Sequence, residues 1–306
     1  MSIHLTKPHL LVVGGTGFIG HHLALTAKRK GWKVTSVSIN SPKKHKHIDG
    51  VNYLKIDISN IKELKKKLVG TFTYVVNLGG YVSHKSFEDK RDRITKAHLI
   101  GVVNLSKIFY KKKIKKFVQI GSSVEYGEIK APQNENQHGL PNSPYALAKL
   151  AATQFLLMLY NTKKFPVTIL RFFQVYGPKQ DENRFLPQII KGCLNNKKFP
   201  TSGGDQVRDF CYISDVINAI FLALVSKKVN GEIFNIGSGE PIKIKYVINQ
   251  VLKIIGKGKA QFGKIKYREN ENMKLYPKIK KARDKLKWRP KINFNHGIRL
   301  VINSYR

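Results

Sequence analysis

Residues 10–25 read Leu-Leu-Val-Val-Gly-Gly-Thr-Gly-Phe-Ile-Gly-His-His-Leu-Ala-Leu, and no other stretch restricts the fold as much. Leu10 to Val13 is a short apolar run, the pattern of a parallel strand buried on both faces. Gly14, Gly17 and Gly20 follow at three-residue spacing where a helix has to begin. The chain must turn sharply, let a diphosphate approach its backbone, and press the new helix against the sheet. Each task excludes a Cβ, and the helix N-terminus offers free N–H groups to the phosphates. The order strand, glycines, helix predicts a dinucleotide site built from Gly14, Gly17, Phe18 and Ile19.

Downstream, apolar runs and amphipathic stretches alternate. Lys33–Ile39, Val51–Ile56, Thr73–Leu78, Phe117–Ile120 and Val167–Phe173 read as strands. Between them, His21–Lys30, Ser59–Leu68, Asp89–Lys112 and a segment opened by Ser143-Pro144 read as helices, with Ser143 the N-cap and Pro144 at the first position. This alternation predicts an α/β fold, a doubly wound parallel sheet. Further on, helices are expected over Asn183–Leu194, Asp215–Val225, Ile242–Ile255 and from Phe294, with strands over Gln206–Ile213 and Ile233–Ile236. The predicted organisation is a dinucleotide-binding domain over residues 1–171, rejoined by about 205–236, and a smaller α/β lobe over 172–306.

The strand ends supply further cofactor candidates. After the second strand, Asn40 and Lys43 stand where a carboxylate would favour NAD, so NADP(H) is favoured, with NAD(H) the alternative. Asp57 and Ile58 follow the third strand, with Asp57 placed to accept from the adenine amino group. Leu78, Gly79 and Gly80 end the fourth, where small residues let the cofactor backbone lie close. His84 reads as an exposed loop residue.

The composition excludes other classes. A net charge of +37 invites nucleic-acid or membrane-surface binding, but the basic residues run along the whole chain, mostly as Lys. They read as general lysine enrichment, with blocks such as Lys62–Lys67 and Lys111–Lys116 complementing helix C-termini. Neither nucleic acid nor membrane is expected as a partner. No apolar run reaches the ~18–20 residues of a span, and the first residues lack a signal peptide's apolar segment. Cys193 and Cys211 form no ligand motif and read as buried thiols, so no metal is expected and a cytoplasmic location is.

Tyr145 and Lys149, four apart at a helix start, share one face. A Lys ammonium beside a phenol favours the phenolate, making Tyr145 an acid or base for alcohol–ketone interconversion. Ser122 and Ser123 lie at the exit of the fifth strand, where ligands of open α/β sheets bind, and either hydroxyl could hold the reacting oxygen.

These motifs resemble those of the extended short-chain dehydrogenase/reductase family, the nucleotide-sugar epimerases, dehydratases and reductases. The resemblance is carried by Gly14-Gly-Thr-Gly-Phe-Ile-Gly20, Ser122-Ser-Val-Glu-Tyr-Gly127, Tyr145-Ala-Leu-Ala-Lys149, Leu170-Arg-Phe-Phe-Gln-Val-Tyr-Gly-Pro178, Arg208-Asp-Phe210, Phe234-Asn-Ile-Gly-Ser-Gly239 and Trp288-Arg-Pro290. It implies a Rossmann domain, catalytic Ser122, Tyr145 and Lys149, and substrate contacts from Ser122, Ser123, Gln174, Arg208 and Arg268. The arginines would grip a nucleotide diphosphate; Gln174 stands where relatives often carry Asn. Dehydratases of the family place an acidic pair after the catalytic hydroxyl, whereas Ser123 and Val124 follow it here and Glu125 comes one step late. Segments 176–187 and 262–273 look most like reductases of nucleotide-linked 4-keto-6-deoxyhexoses, enzymes of deoxysugar supply for surface polysaccharide such as lipopolysaccharide. The expectation is therefore NADPH-dependent reduction at C4. A 4-epimerase holding NAD+ is the alternative, and a non-enzymatic dinucleotide sensor or RNA-binding protein the second. Relatives dimerise through helices matching Asp89–Lys112 and Tyr145–Asn161, so a homodimer is implied.

Overall fold

The computed structural model describes residues 7–81, 92–268 and 271–306. The chain divides into two compact units. Unit 1 comprises residues 1–125, 141–171 and 219–234, and unit 2 residues 126–140, 172–218 and 235–306.

Unit 1 is built on a seven-stranded sheet. Its strands are β1 (His9–Val13), β2 (Lys33–Ser38), β3 (Val51–Lys55), β4 (Tyr74–Asn77), β5 (Lys116–Ser122), β6 (Val167–Phe172) and, after three strands of unit 2, β10 (Glu232–Ile236). The spatial order is β10-β6-β5-β4-β1-β2-β3, and β1 to β5 pair in parallel. The order reverses between β4 and β1, the topological switch point at which doubly wound sheets bind ligands. The doubly wound parallel sheet expected from the sequence is the fold observed. Helices α1 (Phe18–Arg29), α2 (Ile61–Lys67), α3 (Asp92–Thr95), α4 (Gly101–Tyr110) and α5 (Pro144–Lys163) connect the strands. Strand residues such as Leu11, Val75, Phe117 and Ile169 are fully buried, as strands covered on both faces require.

Unit 2 is organised on β9 (Val207–Tyr212). It pairs in parallel with β7 (Gln174–Tyr176) and β13 (Lys274–Leu275), and antiparallel with β11 (Pro241–Lys243). β8 (Lys198–Pro200) and β12 (Lys259–Gln261) form a separate ribbon. The unit's helices are α6 (Phe185–Leu194), α8 (Ile244–Ile255), α9 (Lys280–Asp284) and α10 (Phe294–Asn303); α7 (Ile213–Val225) starts in unit 2 and ends in unit 1. Trp288 is fully buried and donates its indole N–H to Asp215 O at 2.9 Å.

Two helix expectations need correction. The helix expected over 242–255 starts at Ile244, because Pro241–Lys243 is drawn into antiparallel pairing with Val207–Asp209. The helix expected over 89–112 is not regular. After α3, residues Lys96–Ile100 form a π-turn before α4 resumes at Gly101. Its expected start, like His84, lies outside the described residues. Cys193 and Cys211 are free and buried. Among the described residues, no helix is long and apolar enough to cross a membrane, and no cluster of three His, Cys, Asp or Glu could hold a metal.

Candidate active site

The glycine turn is fixed by what a Cβ would strike. Gly14 has φ +80°, and a Cβ there would lie 2.9 Å from the Leu78 carbonyl group. A Cβ on Gly20 would lie 2.2 Å from Gly14 O, so α1 can start only where it does because that residue is glycine. Gly17 caps α1 without a side-chain hydrogen bond, and no acidic residue occupies the first turn. The N–H groups of this end, including those at Phe18 and Ile19, remain suited to an anion. This cradle, and not only the sequence pattern, fits a dinucleotide diphosphate.

The neighbouring strand ends are prepared to different degrees. Ser38 Oγ, at the end of β2, accepts from Thr16 N at 3.3 Å. Asn40 and Lys43 beyond it are exposed. Asp57 is exposed, and its Oδ1 already accepts from both the backbone N and the hydroxyl of Ser59, each at 2.8 Å. Ile58 is buried. At the end of β4, Asn77 donates to Gln119 Oε1 and accepts from Gly79 N, both at 2.9 Å, which pins the turn through Leu78, Gly79 and Gly80.

Ser122, Tyr145 and Lys149 all belong to unit 1, on the exit of β5 and the first turns of α5. Ser143 Oγ accepts from Ala146 N at 3.2 Å, so Tyr145 begins on a capped helix with Pro144 in the first turn. Tyr145 and Lys149 are both buried. Lys149 Nζ donates to Ile120 O at 2.9 Å, which ties α5 to the end of β5. Burial lowers the lysine pKa to about 8, and Glu125 pulls the other way.

Glu125 is the clearest departure from the sequence reading. It is fully buried. Its Oε1 accepts from Ser122 N at 2.7 Å, and its Oε2 accepts from Thr153 Oγ1 and Arg171 Nε, each at 2.9 Å. A carboxylate satisfied this way shapes the Ser122 loop. Gly121 has to be glycine beside it, since a Cβ would come within 2.6 Å of Glu125 Oε1. Ser123 is buried.

His98 escaped sequence reasoning. The π-turn carries its ring to 4.9 Å from that of Tyr145, edge-on at 74°. Nε2–H donates to Tyr81 O at 2.8 Å, and Nδ1 has no partner among the described residues. Burial, followed by the charge of Lys149, lowers its pKa to about 3, so the imidazole is neutral. The ring lies over Gly80, where a Cβ would come within 2.1 Å of Cε1. A π-turn has no signature in apolar periodicity, and the only hint was Gly79-Gly80.

The substrate candidates Gln174, Arg208 and Arg268 fall in unit 2. Gln174 is exposed on β7. Arg208 is buried; its Nη2 donates to Glu271 Oε1 at 2.8 Å and its Nη1 to Val207 O at 2.9 Å. Arg268 is exposed, and its backbone N donates to Glu271 Oε2 at 3.3 Å. The structure thus gathers both arginines around Glu271, a residue that sequence reasoning left without a role. Burial lowers the Arg208 pKa and Glu271 opposes that shift.

Comparison with known proteins agrees with this geometry. Residues 10–237 match the model of the NAD dependent epimerase/dehydratase family. A UDP-N-acetyl-alpha-D-glucosaminuronate decarboxylase of Bacillus cytotoxicus is 31% identical over 259 residues, 80% of this chain and 79% of that protein. A dTDP-D-glucose 4,6-dehydratase of Dictyostelium discoideum is 27% identical over 80% of this chain, an alignment spanning 62% of its own length. The crystal structure of UDP-glucuronic acid 4-epimerase from Bacillus cereus, in complex with UDP-glucuronic acid and NAD, superposes with a TM-score of 0.86. It is 27% identical, covering 97% of this chain and 98% of that one.

Proposed function

The chain belongs to the NAD dependent epimerase/dehydratase family, and from that premise we propose that it oxidises the C4 alcohol of a nucleotide-linked hexose and reduces the resulting ketone again, as a 4-epimerase does. The observation that carries this reading is the bond from Lys149 Nζ to Ile120 O, which ties the helix start bearing Tyr145 to the strand whose exit carries Ser122, beside a carboxylate that is already committed. Tyr145 takes the C4 hydroxyl proton and later returns it. Ser122 holds the C4 oxygen by hydrogen bonding, and Lys149 keeps a positive charge near the phenol while its stem is locked against β5. Bound NAD(P) at the Gly14–Gly20 turn would supply the hydride acceptor and donor. Gly14, Gly17, Phe18 and Ile19 would hold its diphosphate, Asn40 and Lys43 its adenosine ribose, and Asp57 and Ile58 its adenine. Leu78, Gly79 and Gly80 would line its path. In unit 2, Arg208 and Arg268 would grip the substrate's diphosphate, and Gln174 is the candidate sugar contact.

Dehydration, the named activity of one relative, asks for more than this. Dehydration needs a proton donor and a base beside the sugar. Ser123 and Val124 cannot serve, and Glu125 is consumed by Arg171, Thr153 and Ser122 N. Reduction of a 4-keto-6-deoxyhexose is the second reading. It is favoured by segments 176–187 and 262–273, and by the exposed Asn40 and Lys43, which suit a 2′-phosphate better than a carboxylate would.

Denaturing the purified protein and identifying the released nucleotide tests the choice, followed by incubation with UDP-linked hexoses and hexuronates. Released NAD and interconversion of C4 epimers without added cofactor are the expected results. No epimer formation, together with stoichiometric oxidation of added NADPH by a 4-keto-6-deoxyhexose nucleotide, would replace the epimerase by the reductase.

A further inference from the structure

The sheet of unit 1 has two ends, and they differ sharply in charge. The leading ends of its strands are stitched into one row. Lys33 N donates to Pro8 O, Thr73 N to His9 O, Lys115 N to Thr73 O, Phe117 N to Pro166 O and Gly231 N to Val167 O, all at 2.7–3.0 Å. Lys112 Nζ adds a bond to Gly70 O at 3.0 Å, and Lys30 Nζ lies 5.4 Å over the Phe221 ring.

The segments that feed this row are 7–9, 28–33, 47–51, 65–74, 111–116, 163–167 and 226–232. Together they hold seventeen lysines and arginines against two carboxylates, Asp49 and Glu232. The segments leaving the same sheet, 14–17, 38–46, 56–60, 78–81 and 121–125, hold three lysines and two carboxylates. Among the described residues, then, the cations of unit 1 are polarised towards the end remote from the glycine turn and Tyr145. General lysine enrichment does not produce such a contrast. Balancing the helix dipoles accounts for only part of it, because that effect fades beyond the last turn while the blocks at 28–33 and 111–116 run on into the strands.

Three apolar side chains stand out among these cations. Val69 follows α2, Tyr110 ends α4 and Val225 ends α7, with exposures of 72%, 51% and 56%. Apolar tips surrounded by lysines fit an interface where acyl chains and anionic headgroups meet. A nucleic acid would gain little from Val69 and Val225. Its phosphates and base edges are matched best by the arginine fork, yet Arg29 is the only arginine in these segments.

We propose that the strand-leading end of unit 1 is a docking surface for an anionic lipid bilayer, with Val69, Tyr110 and Val225 seated at headgroup level. Docked this way, the enzyme rests on the membrane with its glycine turn and Tyr145 directed away from it.

Flotation of the full-length protein with vesicles tests this at ~0.15 M salt. One set is phosphatidylcholine alone and the other contains phosphatidylglycerol. The protein should float only with the second. Lys66→Glu, Lys113→Glu, Lys163→Glu and Lys228→Glu together should weaken binding roughly a hundred-fold. A control quartet of equal net charge in unit 2, Lys253→Glu, Lys257→Glu, Lys259→Glu and Lys264→Glu, should weaken it no more than about three-fold. If the glutamate quartet fails to fold, Lys→Gln at the same four positions gives the same ranking with smaller losses. Val69→Ser with Tyr110→Ser should weaken vesicle binding but leave binding to polyuridylate unchanged. Equal losses in the two quartets, failure of the wild type to float, or tight binding of polyuridylate without vesicle binding would each overturn the proposal.

Discussion

Glu125 and Glu271 each face an arginine, but the two settings differ in almost every other respect. In unit 1, Glu125 and Arg171 are fully buried, and the carboxylate also receives Thr153 Oγ1 and Ser122 N. In unit 2, the Glu271 and Arg208 side chains keep 17% and 10% of their exposure, and Arg268 beside them is open to solvent. Removing two charges from water is costly, and the three hydrogen bonds that Glu125 accepts offset that cost and make the first pair a rigid part of the frame. The second retains contact with water. The frame around Ser122 is therefore set before any ligand arrives, whereas in unit 2 Arg208 is held by a carboxylate that keeps contact with water.

This contrast can be broken from either side. Tyr145→Phe should have the largest effect, lowering kcat by about 10²–10⁴-fold while leaving the melting temperature and cofactor titration nearly unchanged. Unaltered turnover would remove Tyr145 from the mechanism. Arg171→Met should destabilise the fold by about 3–5 kcal/mol in urea unfolding, since it strands a buried carboxylate. Glu271→Gln should cost only about 1 kcal/mol and change UDP affinity by less than about ten-fold. Equal losses in these two variants would erase the distinction drawn above.

A subtler effect concerns Lys149, whose pKa falls from 10.5 unfolded to about 8 folded. The unfolded chain then binds more protons between these values, so this group's contribution to stability rises as pH climbs from about 8 to 10.5. Below that window its burial penalty is present in full. Lys149→Met should flatten this rise, which denaturant titrations at several pH values would detect. The smallest expected effect is an absence. Because His98 is neutral down to about pH 3, His98→Asn should leave the pH–rate profile without any change near 6–7.

Much of unit 1 was legible because its constraints are local. A Cβ on Gly20 would strike Gly14 O six residues back, and Ser143 caps α5 through Ala146 N three residues on. The remainder depends on partners far apart in sequence. Thr153 and Arg171 lie 28 and 46 residues from Glu125, so nothing local shows that this carboxylate is consumed. Arg208 and Glu271 are 63 residues apart, and the arginine could be nominated while its partner could not. The short β11 was hidden at the head of residues 242–255, which read as one helix, and only pairing with Val207–Asp209 decides it.

The π-turn at Lys96–Ile100 amounts to one residue more than a regular helix would hold. Every side chain before it is turned by roughly 100° relative to those after it. Deleting a single residue within this turn should leave an ordinary continuous helix, at the cost of turning buried Ile94 away from Tyr145 and Ala148. It would also swing the imidazole off the Tyr145 ring and clear the space over Gly80. This segment is thus a place where length variation is registered directly at the candidate site. In the descent of such chains, loss of one codon here would be a single-step route to a differently lined site on an unchanged scaffold.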